Sequence, residues 1–270
     1  MRSPQPLPQS EILITESTYG DRLHESEEET QEKLMLVVQE TCIKKKGKLI
    51  IPAFSVGRTQ EILYALNCLS NERRLPQIKV YIDSPLSMNA TSIMRFHPEC
   101  FNDEILATMK DDPDPFGFNG LYYIQSNEDS KKLNNTKEPC IIIAASGMME
   151  AGRVKHHLAN SISNKKNTVL IVGYCAPTTL GAKIKRGDSE VSIFGKIYPV
   201  NADIRTIESF SAHGDYMEMI SYINQFDKKK LKKVFIVHGE YDTQQVYREK
   251  LKKEGFENVE IPASTDTFEF

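Results

Sequence analysis

The sequence predicts an α/β fold, a doubly wound and mainly parallel sheet, on three observations. Apolar runs of strand length, such as Val169-Leu170-Ile171-Val172, alternate with segments whose apolar residues recur at helical spacing. That alternation implies parallel strands covered by helices on both faces. Several runs end in turns of small or special residues: Ala53-Phe54-Ser55-Val56-Gly57-Arg58, Asp83-Ser84-Pro85-Leu86, Ala145-Ser146-Gly147-Met148 and Gly173-Tyr174-Cys175. Ligands in this architecture gather at the carboxyl ends of strands, so the shared position of these turns is a stronger signal than any one of them.

Each element has its own justification. Glu11–Thr15 is an apolar strand ending in Glu16-Ser17-Thr18-Tyr19-Gly20. From Ser26 to Ile43 an acidic first turn leads into Leu34, Val37, Val38 and Cys42, the spacing of an amphipathic helix. Lys48–Pro52 reads as a buried strand, Arg58–Leu69 as a helix, Ile78–Ile82 as a strand, and Ser87–Lys110 as mostly helical. The prolines and acids of Asp111-Asp112-Pro113-Asp114-Pro115 suit neither element and predict an exposed loop. Strands follow at Leu121–Ile124, Cys140–Ala144 and Thr168–Val172, with a helix over Arg153–Ser161 before the last of them. Three shorter and more exposed strands are expected at Val191–Ile193, Lys196–Tyr198 and Ile204–Ile207. Helix Asp215–Phe226, strand Lys233–Val237, helix Gln244–Glu254 and strand Val259–Ile261 form a second βαβ-like unit, which puts a boundary near Glu208.

Composition narrows the function classes. At 270 residues, with 40% apolar and 26% charged residues, the chain is an ordinary globular sequence with room for one or two domains. It shows neither a membrane-length apolar run nor a secretory leader at Met1-Arg2-Ser3-Pro4. Five widely spaced cysteines, without a CxxC pair, read as reduced thiols of a cytoplasmic protein. A net charge of −3 says little about partners, and Lys44-Lys45-Lys46 and Lys228-Lys229-Lys230 read as solvated corners.

The chemistry concentrates late in the chain. In Ser209-Phe210-Ser211-Ala212-His213-Gly214-Asp215 and again in Val237-His238-Gly239-Glu240, a histidine beside an apolar run is followed by glycine and an acid. Imidazoles in such places bind metal, move protons or satisfy core hydrogen bonds, and the residues alone leave all three open. Ser211 lies two residues before His213, on the same face of an extended segment, where its hydroxyl and nearby N–H groups suit a phosphate oxygen. Glu16, at a strand end, suits the orienting of a histidine through its ring N–H. Gly57 and Arg58, before a helix, make a cradle for phosphate or carboxylate. Arg153, His156 and His157 read as a cationic first helical turn on the surface.

Five ordered motifs carry a resemblance across essentially the whole chain. They are Thr15-Glu16-Ser17-Thr18-Tyr19-Gly20, Pro52-Ala53-Phe54-Ser55-Val56-Gly57-Arg58-Thr59-Gln60-Glu61, Ala145-Ser146-Gly147-Met148, Phe210-Ser211-Ala212-His213 and Val237-His238-Gly239-Glu240. The chain resembles the β-CASP branch of the metallo-β-lactamase superfamily, which includes ribonuclease J and the endonuclease subunit of the cleavage and polyadenylation machinery. The resemblance implies that Glu16, His213 and His238 are motifs A, B and C. His238 would be a zinc ligand. His213 would face the scissile phosphate as general acid or charge stabiliser, and Glu16 would hold it in orientation. Ser211 and Ala212 would contact phosphate, with Gly57, Arg58 and Ser146 as further substrate-binding candidates. A histidine at motif C favours RNA over DNA.

It also implies domains: 1–21 and 208–270 as metallo-β-lactamase segments, and 22–207 as the β-CASP domain. The family's HxHxDH signature does not occur here, although its complete site holds two zinc ions. The expectation is part of a zinc-dependent nuclease acting on single-stranded RNA, with zinc absent or incomplete and the chain inactive alone. A shortened reading of a longer protein is preferred over a missing half supplied by another chain. The latter would leave the apolar face of the returning βαβ unit without its sheet partner. The alternatives are a non-catalytic RNA-binding or scaffolding module and, less favoured, a small-molecule hydrolase. Resemblance to ribonuclease J makes a homodimer one of the states to test.

Overall fold

In the computed structural model, which describes residues 2–211 and 213–269, the chain divides into two units. Unit one is Glu25–Ser211 with the extreme N-terminus, and unit two is Ser3–His24 with Ala212–Phe270. The strands in chain order are β1 (Ile12–Thr15), β2 (Lys48–Pro52), β3 (Lys79–Asp83), β4 (Leu121–Tyr123), β5 (Cys140–Ala144), β6 (Thr168–Ile171), β7 (Glu190–Ile193), β8 (Lys196–Pro199), β9 (Asp203–Thr206), β10 (Lys233–Ile236) and β11 (Val259–Glu260). The helices are α1 (Glu27–Val38), α2 (Arg58–Asn71), α3 (Pro85–Phe96), α4 (Asp103–Thr108), α5 (Asn127–Asn135), α6 (Val154–Ser161), α7 (Leu180–Arg186), α8 (Tyr216–Ile223) and α9 (Tyr241–Lys253).

In unit one, six parallel strands run in the order β4-β3-β5-β2-β6-β9. Successive strand residues point to opposite faces, so a strand apolar at every position needs cover on both. Leu49 and Ile51 of β2, with Ile141 and Ile143 of β5, pack on one face against Leu34 and Val38 of α1 and Ile62 and Leu66 of α2. Ile50, Ile142 and Val169 pack on the other against Leu133, Leu158 and Ile184, from α5, α6 and α7. The sheet is therefore doubly wound. Helix α1 starts on a reciprocal cap between Ser26 and Glu29 and continues as a π-helical segment over Gln39–Lys44.

Two helices lie where the sequence reading assigned none. Helix α5, Asn-Glu-Asp-Ser-Lys-Lys-Leu-Asn-Asn, buries only Ser130 and Leu133, so it carries almost no apolar period. Helix α7 spans 7 residues and includes Gly181. The three late strands also separate in role. Strands β7 and β8 form an antiparallel hairpin turned by Phe194 and Gly195, both at positive φ, as a two-residue turn between twisted strands requires. Strand β9 joins the main sheet as its parallel edge. The acidic, proline-rich loop is pinned rather than simply exposed. Asp112 accepts from Asn67 and Asn71, Asp114 accepts two bonds from Arg95 at 2.8 Å, and Pro115 is buried.

In unit two, β1-β10-β11 form a parallel sheet with β10 at its centre. One face carries Leu13, Val234 and Ile236, packed with Met219 and Ile223 of α8 and Tyr247 and Leu251 of α9. Among the described residues no helix is long and apolar enough to cross a membrane. All five cysteines are free, and burial pushes the Cys42 thiol up to about 12, out of reach as a thiolate near neutral pH.

Candidate active site

Strands β1 and β10 pair in parallel with Thr15 opposite Ile236, so the residues that follow them emerge side by side. Glu16 follows β1 directly, and His238 stands two residues beyond β10. The exits are laced together: Val237 donates its N–H to Thr15 O at 2.9 Å, and the Ser17 hydroxyl donates to Val237 O at 2.9 Å. His238 has φ of +50°, a left-handed conformation that turns its ring out of the strand direction. Gly239 then passes so close to Ser17 that an added Cβ would lie 2.5 Å from its Oγ and 2.9 Å from its backbone oxygen. Gly239→Ala is expected to cost about 1–3 kcal/mol by forcing the two loops apart. Urea unfolding of the purified variant checks it.

The cluster itself is compact. Glu16 Oε2 lies 2.7 Å from His213 Nδ1, 3.7 Å from His238 Nδ1 and 2.7 Å from the Thr18 hydroxyl that donates to it. Thr18 Oγ1 is also 3.1 Å from His238 Nδ1. With its one hydrogen given to Glu16, Thr18 accepts from Nδ1–H of His238, which assigns that ring the tautomer with a bare Nε2. Glu16 fixes His213 in the same sense, accepting from Nδ1–H. The two rings stand 5.1 Å apart at 34°, and the His238 side chain is 65% exposed. Thr18 was not singled out in the sequence; it stands in the turn over 17–20 that follows Glu16.

Two further residues hold the His213 segment. His24 Nε2 lies 2.9 Å from His213 O, and the His24 backbone N–H donates to Asp215 Oδ2 at 3.0 Å. Asp215, the acid after His213-Gly214, caps α8 by accepting from Met217 and Glu218. Its part in the motif is to start the helix.

These groups are ligand types for zinc, and their ligand atoms lie within 4.8 Å of one another. Their spacing is that of hydrogen bonds. Two ligands of one tetrahedral zinc stand about 3.3 Å apart, given bonds of about 2.0–2.1 Å, whereas Glu16 and His213 meet at 2.7 Å. Glu16 Oε2 is committed to His213 and Thr18. Among the described residues the cluster thus offers the bare Nε2 atoms of His213 and His238, two ligands where a catalytic zinc needs about three, and does not make a zinc site by itself.

The remaining sequence candidates lie in unit one, apart from Ala212, which is outside the described residues. Gly57 has φ of +82° at the start of α2, with open space where a Cβ would project. Arg58 is buried, 8% exposed, and ion-paired to Glu61. Ser146 follows β5 and donates its N–H to Ala151 O at 3.2 Å. Gly57 and Ser211 both line a pocket whose charged side chains are glutamates.

One cluster contradicts the sequence reading. Arg153 and His157 are not surface cations. They lie one helical turn apart at the start of α6 and converge on Asp83, the last residue of β3. Arg153 Nη1 donates to Asp83 Oδ1 at 2.7 Å, His157 Nε2 meets Oδ2 at 2.6 Å, and the Ser130 hydroxyl donates to Oδ2 at 2.5 Å. The Asp83 and His157 side chains are fully buried. Burial alone would raise the Asp83 carboxyl, but the bonds from His157, Ser130 and Arg153 outweigh it and hold the group below its ordinary value. The i, i+4 spacing of Arg153 and His157 was the available signal, since it puts both on one helix face.

Comparison with known proteins agrees with this architecture. Residues 59–184 match the Beta-Casp domain, and residues 197–262 match the Zn-dependent metallo-hydrolase RNA specificity domain. A ribonuclease from Thermus thermophilus is 34% identical over 233 residues, covering 86% of this chain and 52% of that protein. Transcription termination factor FttA of Methanocaldococcus jannaschii is 35% identical over 241 residues, 86% of this chain and 37% of that protein. An RNase J-like protein of the same organism is 34% identical over 231 residues, 85% of this chain and 52% of that protein. The chain belongs to the β-CASP family of the metallo-β-lactamase superfamily. It spans about half the length, or less, of these curated relatives.

Proposed function

We propose that this chain is part of an RNA-processing nuclease that hydrolyses phosphodiester bonds of single-stranded RNA. The observation that carries this reading is the Glu16–His213–His238 cluster, in which one carboxylate and one hydroxyl hold both imidazoles by Nδ1. Residues 1–21 and 208–270 act as metallo-β-lactamase segments that present the cluster, and residues 22–207 act as the β-CASP domain. Glu16 orients His213 through Nδ1, so that Nε2 is the nitrogen left to give a proton to the leaving oxygen. His238 offers Nε2 as a zinc ligand. When bound, the two zinc ions of a complete site would polarise the phosphate and activate water. Ser211 and Ala212, with Gly57 and Ser146, are the candidates for backbone contacts. Arg58 joins them only if its pair with Glu61 opens.

A catalytic zinc requires about three protein ligands and an open position. The cluster supplies His238, leaves His213 Nε2 to the phosphate and commits Glu16 Oε2 to His213 and Thr18, so the chain grips RNA without cutting it unaided. The test is binding and cleavage by the purified chain, with zinc, of single-stranded RNA, duplex DNA and mononucleotides. The expected result is preferential binding of single-stranded RNA and no cleavage. Robust zinc-dependent cleavage abolished by His238→Ala would overturn the claim of incompetence, and failure to prefer RNA would overturn the substrate. The incomplete ligand set also favours a second reading, a non-catalytic RNA-binding or scaffolding module. The two part on whether cleavage appears once further zinc ligands are supplied. A homodimer is the assembly to look for, by light scattering of the same sample.

A further inference from the structure

The three residues of the imidazole cluster are placed by different means. Glu16 and His238 leave neighbouring strands, so the β1–β10 pairing sets them side by side. His213 has no such frame. Among the described residues between β9 and Asp215 there is neither strand nor helix, and order resumes with the bridge of Asp215 to Tyr19 and the start of α8. Gly214 follows His213 directly, and a glycine leaves the peptide plane that it shares with its neighbour free to turn. Something else has to hold that plane if the His213 ring is to keep its 2.7 Å contact with Glu16.

The segment 19–24 supplies the hold, within unit two. Tyr19 bridges to Asp215, Tyr216 donates its N–H to Arg22 O at 3.5 Å, and the His24 N–H donates to Asp215 Oδ2 at 3.0 Å. These bonds fix the chain just after His213. One more reaches the His213 peptide itself: His24 Nε2 lies 2.9 Å from the His213 carbonyl oxygen. A carbonyl oxygen can only accept, so Nε2 of His24 carries the hydrogen. The His24 ring is set in turn by Tyr19, edge to face at 4.9 Å.

We propose that His24 is a positioning residue for His213. Its Nε2–H locks the His213–Gly214 peptide plane, which keeps the His213 ring on Glu16 by Nδ1 and leaves its Nε2 bare. Without that bond the plane turns against Gly214 and the His213 backbone shifts. A shift of about 1 Å is enough to break a hydrogen bond of this kind. The catalytic consequence rests on the proposed role of His213 as proton donor. The placement of the ring concerns this chain alone and needs neither zinc nor RNA.

Substitutions separate the N–H of His24 from its ring. Glutamine carries an N–H at the reach of Nε2, asparagine one at the reach of Nδ1, and alanine none. All three lose the edge contact with Tyr19 and keep the backbone bond to Asp215. The test is the tautomer of His213 in the 270-residue chain, read from long-range proton–nitrogen correlation spectra of the imidazole rings. The His213 signals are those that vanish in His213→Ala, and about pH 8.5 lies above the ordinary imidazole range. Wild type and His24→Gln should show the single Nδ1–H tautomer, and His24→Ala and His24→Asn a mixture. Melting temperatures should stay within about 4 °C, as for the loss of one ordinary hydrogen bond.

In a form of the protein with a full set of zinc ligands, His24→Ala should slow single-turnover cleavage by about 10–100-fold at unchanged RNA affinity. It should spare a substrate whose leaving atom is sulfur, since a thiolate departs without a proton. A His24→Ala chain with the wild-type tautomer, or a His24→Gln chain that behaves like His24→Ala, would overturn the proposal. So would His24→Ala cleaving at the wild-type rate while His213→Ala does not. The expected spectra, joined to cleavage that His213→Ala leaves unchanged, would instead overturn the role of His213 as proton donor, with His24 still placing its ring.

Discussion

Asp83→Asn is expected to cost about 3–5 kcal/mol of stability and to lower the melting temperature by about 10 °C. The substitution keeps the shape of the side chain and removes its charge. Arg153, only 18% exposed, would lose its counter-ion, and the fully buried His157 would lose the carboxylate at 2.6 Å. Breaking a buried pair on one side leaves the other side uncompensated, which is why the expected loss exceeds that of a surface bridge. The pH dependence separates this account from a packing defect. The Asp83 carboxyl is held below its ordinary value in the folded chain. Its stabilisation is therefore fully present above the unfolded value of about 3.9 and is lost as pH falls through the lower folded value. Urea unfolding should show the full gap between wild type and variant at pH 7 and a shrinking gap below about pH 4. A gap that stays constant to pH 2 would mean that charge is not what Asp83 contributes.

The position of this network explains what it does for the fold. From β3 the chain moves outward to β4, whereas from β5, beside it, the chain returns across β2 to β6. Diverging connections open a crevice at the carboxyl ends of such strands, where ligands ordinarily bind. Here the crevice is filled from within. Asp83 supplies the anion, and α6 supplies Arg153, which also donates to Ile124 O, Gln125 O and Asn127 Oδ1. That closes the loop from β4 to α5 over the same spot. The strand-end turn at Asp83, legible as a possible ligand site, is a structural joint.

The same contrast runs through the chain. Strands β2, β5 and β6 were legible because fully buried strands carry unbroken apolar runs, 49–51, 140–144 and 169–171, and α2 because its apolar period is clean. Helix α5 was not, since one leucine among polar residues gives no period. Its place is set by Lys48, whose Nζ donates to Leu133 O and Asn134 O at the helix end. The order Glu16, His213, His238 was readable as motifs, but Glu16 stands beside His238 only through the β1–β10 pairing, and its 2.7 Å contact with His213 depends on the Tyr19–Asp215 bridge and the bonds of His24. No spacing rule reports that. Arg58 carries a partner that the sequence already displayed: Glu61, one turn along the same helix, pairs with it.

His213→Ala is expected to slow RNA cleavage by about 10²–10⁴-fold in a form of the protein that joins this chain to a full set of zinc ligands. Affinity for RNA should change little. The prediction rests on the proposed reading and on the carboxylate behind the ring. Glu16 Oε2 accepts from Nδ1, so a proton carried by His213 leaves from Nε2. Glu16→Gln retains an acceptor at the same place but no charge, so its loss should be smaller, about 10–100-fold. Single-turnover cleavage of a short single-stranded RNA separates these effects from binding and product release. Zinc content, measured on the same samples, supplies the discriminating control. If Glu16 only orients His213, both variants keep their zinc. A Glu16→Gln protein that loses zinc as well as activity would make Glu16 a ligand in the assembled site, and the 2.7 Å pair seen here would be a resting arrangement that metal binding pulls apart.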